Sequence, residues 1–82
     1  MKIQQDWDEK YNIGKNIREI RMKRNLSQQQ TCEKLELLGV SLSRGVLSHI
    51  ETGRSNVHVK VLAGLAEVFH VEIGEFFKGI RI

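Results

Sequence analysis

The run from Ser27 to Glu51, SQQQTCEKLELLGVSLSRGVLSHIE, restricts what this chain can fold into more than any other part of it. It reads as two short helices with a tight break between them. Ser27 is a good N-cap for the first helix, and Gln30 stands three residues on, which makes a capping box. Thr31, Cys32, Leu35 and Leu38 fall on its inner face, and Gly39 stops it. After the break GVSLS, Ser43 or Ser41 caps a second helix over residues 43–51. That helix is expected to bury Val46 or Leu47 together with Ile50, and to end at Thr52-Gly53 with Gly53 taking the left-handed closing position. The rest of the chain is expected to hold this pair in place.

Upstream, Ile13, Ile17 and Ile20 form the buried stripe of a helix over residues 13–24, with Lys15, Arg18, Lys23 and Arg24 off it. Asn12 is its expected N-cap, and Asn25 tolerates the left-handed turn after it. Downstream, the loop Arg54-Ser55-Asn56 leads to a helix over residues 59–69, striped by Val61 or Leu62, Leu65, Ala66 and Phe69. Gly64 inside it costs ~1 kcal/mol relative to Ala, so its place there suggests a close helix contact. Residues 72–77 are expected to form a short fifth helix, with Ile73, Phe76 and Phe77 closing the core. Ile3, Trp7 and Tyr11 recur at helical spacing, which favours an arm over residues 1–12 that packs on the domain or on a second subunit. The domain proper spans 13–77, and 78–82 is a tail with apolar Ile80 and Ile82.

Composition supports this reading. At 82 residues there is room for one core. A chain so short buries only ~60–65% of its unfolded surface, so efficient helical packing or a partner subunit helps it. Proline is absent, and apolar residues recur at three- and four-residue spacing, which points to an all-α domain. The single Cys32 has no partner for an internal disulfide and reads as a core residue rather than a redox sensor. Cys32 and the three His lack metal-ligand spacing, so no metal and no cofactor are expected. No nucleophile–base or paired-carboxylate arrangement stands out, so the chain is read as a non-enzyme. MKIQQDWDEK carries no apolar run of a signal peptide, and nothing approaches the ~18–20 apolar residues of a membrane span. These features suit a reducing cytoplasm.

The net charge of +3 is unevenly placed. Residues 13–60 hold nine Lys/Arg against four Glu, whereas residues 1–12 and 61–82 each carry −1. A polyanionic partner explains a positive middle.

Four pieces in order carry a family resemblance: IxxxIRxxRxxxxLSQ over residues 13–28, the small Cys32 with Leu35, SHIETGR over 48–54, and LAxxFxVxIxEFF over 65–77. Together they resemble the Cro/CI-type helix-turn-helix family of phage repressors and bacterial XRE-type regulators. The resemblance implies a compact five-helix, lambda-repressor-like bundle whose second and third helices form the helix-turn-helix. It places Gln28, with Gln29 beside it, against a DNA phosphate, where a helix N-terminus also favours an anion. It places Arg44, Gly45 and His49 on the face that reads bases, where Arg44 can reach a guanine bidentately. Ser43 and Ser48 fall where phosphates or bases can be met, and Arg54, Ser55 and Asn56 match the loop that grips the backbone. Arg21 and Glu51 match a pair that ties the first helix to the end of the recognition helix.

The sequence departs from the family pattern in three places. Ser27 to Glu51 is about five residues longer than in compact members, with the excess around residues 36–42. Val57 and His58 stand where the fourth helix usually starts with Pro and Ser/Thr. Residues 1–12 lie outside the match. The implied function is sequence-specific binding of double-stranded DNA as a transcriptional regulator, a repressor rather than an activator. A homodimer on a pseudo-palindromic operator is expected, with recognition helices about one DNA turn (~34 Å) apart. Its dimer surface is assigned to the fifth helix and tail, with or without the arm. No small-molecule ligand and no membrane partner are expected. The competing readings are an antitoxin or other protein-interaction module, and a restriction–modification controller protein.

Overall fold

A computed structural model describes residues 12–80. Among them the chain forms four α-helices and one 3₁₀ helix, in the order α1 (Ile13–Lys23), α2 (Gln28–Leu37), α3 (Arg44–Glu51), α4 (Val59–Phe69) and the 3₁₀ helix (Ile73–Phe77), with no strand. Three of the four α-helices start on a side-chain cap. Asn12 Oδ1 accepts from the Lys15 N–H at 2.6 Å. Ser27 Oγ accepts from the Gln30 N–H, and Gln30 Oε1 accepts in return from the Ser27 N–H, completing the capping box. Ser43 Oγ, not Ser41, accepts from the Val46 N–H.

All four helices end the same way. A left-handed residue follows the last turn: Asn25, Gly39, Gly53 and His70, with φ between 58° and 83°. The next N–H then reaches back to a carbonyl five residues earlier: Leu26 to Arg21, Val40 to Leu35, Arg54 to His49 and Val71 to Ala66. This closure satisfies carbonyls that a helix end leaves open, and it turns the chain sharply enough for short connections.

Ile17, Leu35, Leu47, Ile50, Val61, Leu62, Leu65, Phe69 and Phe76 form the core. Phe69 and Phe76 meet edge to face, ring centroids 6.3 Å apart, which fastens the 3₁₀ helix to α4. Asn16 on α1 donates from Nδ2 to the Phe76 and Lys78 carbonyls, holding the same segment from the other side. Gly64 is buried where a Cβ would stand 2.9 Å from Leu35 and 3.3 Å from Val40, so α4 does press closely on α2 and its turn.

Several sequence expectations change. Leu38 is about half exposed, because α2 stops at Leu37 and the left-handed Gly39 swings the chain round. Val40, a turn residue, fills the core place instead. On α3 it is Leu47 that is buried, while Val46 is 46% exposed. Both Val61 and Leu62 are buried on α4. The fifth element is a 3₁₀ helix rather than a fifth α-helix, and it buries Phe76 alone, with Ile73 and Phe77 more than 40% exposed. Five residues make too few i→i+4 bonds to hold an α-helix. Of the arm expected over residues 1–12, residues 1–11 lie outside the described residues, as do the last two residues of the tail.

Candidate nucleic-acid interface

The second helix of the pair, α3, has one locked side and one open side. Leu47, Ile50 and Glu51 are buried, whereas Ser43, Arg44, Gly45, Val46 and His49 are exposed and Ser48 is half-buried. At 100° per residue Gly45 and His49 lie nearly opposite the locked side, with Ser48 and Val46 on the flanks. Arg44 stands at the first helical position, where the helix end is positive and an acid is the favoured residue. A cation there costs ~0.3–1 kcal/mol unless an anion approaches it. None of the four α-helices has an acid in its first turn.

What locks α3 is a buried charge cluster. Glu51 is 5% exposed and accepts three N–H groups. Arg21 donates Nε to Oε2 at 2.6 Å and Nη2 to Oε1 at 3.0 Å. Gln28 donates Nε2 to Oε1 at 3.0 Å. Arg21 also donates Nη1 to the Leu26 carbonyl at 2.6 Å, which draws the α1–α2 turn into the cluster. A bidentate guanidinium–carboxylate pair with both oxygens accepting is the geometry in which a buried ion pair holds orientation well. Among the described residues no buried side-chain nitrogen or oxygen lacks a partner.

A second lock lies at the start of α1. Gly14 is buried against α3, where a Cβ would fall 1.8 Å from the Ile50 carbonyl oxygen. The backbones of α1 and α3 therefore touch directly, and only glycine permits it. The sequence reading applied this reasoning to Gly64 and overlooked Gly14, although the same signal was present: a glycine beside the buried stripe of a helix.

The remaining sequence-predicted residues gather round α3. Gln28 sits at the first position of α2, half-buried, with its amide turned to Glu51. Gln29 is exposed and donates to Glu33 Oε2. Arg54, Ser55 and Asn56 are exposed just beyond α3, and the Arg54 and Ser55 N–H groups both bond to the His49 carbonyl. Ser43 spends one lone pair on the Val46 N–H, which leaves its hydroxyl hydrogen to donate. Cys32 lines a cleft between α2 and the start of α3 with Gln29, Glu33, Glu36, Leu42 and Arg44. Burial, with Glu51 and Glu33 adding to it, pushes the Cys32 thiol up from its ordinary value.

The helix-turn-helix family profile matches residues 17–76. The chain belongs to the helix-turn-helix family. The match is of the Cro/CI (XRE) type, a family of DNA-binding regulators, and it covers all of the α2–α3 pair together with most of α1, α4 and most of the 3₁₀ helix. A search of curated proteins found no match. Among the described residues, no helix is long and apolar enough to cross a membrane, and no group of three His, Cys, Asp or Glu could hold a metal ion.

Proposed function

We propose that this helix-turn-helix protein represses transcription by binding, as a homodimer, to a pseudo-palindromic double-stranded operator, with α3 in the major groove. The observation that carries this is the open face of α3: Arg44, Gly45 and His49 exposed on a helix whose other side is fixed by Leu47, Ile50 and the Glu51 cluster. A helix held this firmly can present a cation at its tip with the reach that bidentate guanine recognition needs. Ser48 lies beside it for base or phosphate contact. Gln28, Gln29 and Ser43 flank it at two helix N-termini, and Arg54, Ser55 and Asn56 at its far end, all in position for phosphates. Gln28 Nε2 carries two hydrogens; with one on Glu51, the other remains for a phosphate. One recognition helix reads only a few base pairs, so a second copy supplies the rest of the affinity. The work is assigned to the cytoplasm, with no cofactor.

The decisive experiment is a gel shift with the DNA upstream of the protein's own coding sequence. Folded protein that gives no shift at low salt would end the DNA reading and leave the antitoxin or protein-interaction reading in its place. Arg44→Ala is expected to lose ~1–3 kcal/mol, concentrated at one base pair, with relaxed preference there. Loss spread evenly over all sequences would make Arg44 a phosphate contact. Gln28→Ala is expected to weaken all sequences alike.

A further inference from the structure

Val46 and Leu47 compete for one place in the core, and Leu47 takes it, leaving Val46 nearly half exposed on α3. A lone exposed valine is ordinary on a protein surface, but three features set this one apart. It stands at the third position of α3, within the first turn, and in helix-turn-helix docking the N-terminal residues of that helix meet base edges. Its direction is fixed. The Val46 N–H donates to Ser43 Oγ at 3.1 Å, and a β-branched side chain in a helix keeps essentially one χ1 rotamer. Its approach is open. A Cβ on the neighbouring Gly45 would meet nothing within 4 Å, so no side chain there holds Val46 off an incoming surface. Exposed His49, three residues on, is its neighbour along the helix face. Arg44 borders the cleft against α2, and Val46 lies about 200° further round the helix, on the other flank.

We infer that Val46 is a specificity-determining residue that reads a thymine, its methyl groups lying against the thymine C5 methyl in the major groove. The inference rests on the proposed binding of α3 to duplex DNA and extends it to a residue whose side chain has no polar group. Valine carries no side-chain donor, acceptor or charge, so neither a phosphate nor the polar edge of a base gives it a partner. The C5 methyl of thymine is the apolar group that the major groove displays. Contact between the two removes apolar surface from water, and little order is lost because the valine rotamer is already set. A cytosine in the same place would offer no methyl and would bring a polar amino group near the valine instead. Arg44 and Val46 then read from opposite flanks, one by hydrogen bonds and one by apolar contact. Gly45 between them lets the helix backbone come close to the bases.

The test removes the methyl from the DNA and from the protein separately. Duplexes are selected from a random pool by the full-length protein, and each thymine of the selected site is then replaced singly by deoxyuridine, which lacks only the C5 methyl. With the wild-type protein, one replacement in each half-site is expected to weaken binding roughly three- to sixfold, the effect of uncovering about one methyl group. Val46→Ala should bind the unsubstituted site more weakly by a similar factor and should no longer distinguish thymine from uracil at that position. Its fold should persist, because Leu47 keeps the core place and Ala is the better helix former; a thermal melt checks this. The salt dependence of binding should stay as in the wild type, since no phosphate contact is lost. A site at which no uracil replacement matters overturns the inference while leaving the DNA reading intact. So does a uracil effect that persists unchanged in Val46→Ala, which assigns the methyl to another residue. Failure to select any sequence overturns the DNA reading, and this inference with it.

Discussion

Gly14→Ala sets two effects against each other. Helix propensity favours Ala by up to ~1 kcal/mol, and Gly14 lies inside α1. Sterically, the added Cβ would stand 1.8 Å from the Ile50 carbonyl oxygen, 2.9 Å from its carbonyl carbon and 3.3 Å from Glu51 Cα. A close carbon–oxygen contact needs ~3.3 Å, so α1 and α3 must part by about 1.5 Å at this point. All three atoms are backbone, and no side-chain rotation relieves the overlap. Overpacking of this kind costs ~1–3 kcal/mol, and a backbone–backbone clash belongs at the upper end. The clash wins by roughly 1–2 kcal/mol, which lowers Tm by about 5–15 °C in a domain of this size.

The same separation pulls at the end of α3, so DNA affinity is expected to fall at temperatures where the variant is still fully folded. Thermal melts by far-UV circular dichroism, with DNA binding measured well below the transition, test both parts. Gly64→Ala is the control. There the new Cβ meets the Leu35 and Val40 side chains at 2.9 and 3.3 Å, which can give by a few tenths of an ångström. Its stability is expected within ~1 kcal/mol of wild type, because the propensity gain offsets the crowding. A Gly14→Ala protein that melts at or above the wild-type temperature would refute the direct backbone contact as a constraint.

Two further outcomes follow from the charged cluster and the thiol. Arg21→Met leaves Glu51 buried with Gln28 as its remaining partner, and urea unfolding should show a loss of ~3–5 kcal/mol, a large share of the ~4–12 kcal/mol available to 82 residues. Arg21→Met with Glu51→Leu should recover most of that loss in stability yet not in DNA affinity, since the apolar pair packs but no longer holds Gln28; a single variant costing under ~1 kcal/mol would mark the pair as a surface contact. The Cys32 thiol is raised by burial and by Glu51 and Glu33, so the folded state binds its proton more tightly than the unfolded state. Stability from this source is complete below the unfolded thiol's pKa and is lost as pH rises through the folded one. Alkylation of native Cys32 should accordingly reach its half-maximal rate at higher pH than in the unfolded chain, and Cys32→Ala should remove the alkaline slope; identical alkylation profiles would count against the burial.

The parts of this fold that were legible in the sequence are those decided within four residues. Asn12, Ser27 and Ser43 cap helices through contacts to the third residue on, Gln30 returns the contact to the Ser27 N–H, and Asn25, Gly39 and Gly53 close helices because their residue types tolerate positive φ. Which neighbour on a helix is buried was less legible. Val46 and Leu47 differ by one 100° step, and only the position of α2 and α4 decides between them. Leu38 and Val40 exchange places for a related reason: apolar periodicity marks a helix face, yet the turn at Gly39 breaks the period just before the core is complete. The 3₁₀ helix was placed within one residue, but its winding depends on Asn16 and the Phe69–Phe76 contact, groups distant in the sequence.

The candidate site divides along the same line. Gly45 and His49 could be placed on an open face from helix period, and Arg44, at the tip of the helix, from the family pattern. Of the apparatus that aims that face, the Arg21–Glu51 pair came from the family pattern, but the parts played by Gln28 and the Leu26 carbonyl did not, because they are assembled from α1, α2 and α3 at once. Glu51 is its centre. One carboxylate receives Arg21 from the first helix and Gln28 from the N-terminus of the second, while Arg21 also holds the Leu26 carbonyl in the turn between them. Gln28 thereby has two duties that share one amide nitrogen, orientation of α3 and the proposed contact with phosphate. A phosphate drawn to Gln28 would meet a group already fixed by the recognition helix, so no further ordering is required when DNA arrives. The long turn at residues 38–43 fits this arrangement, since its job is to bring Val40 beneath Gly64 and leave Ser43 as the cap of α3.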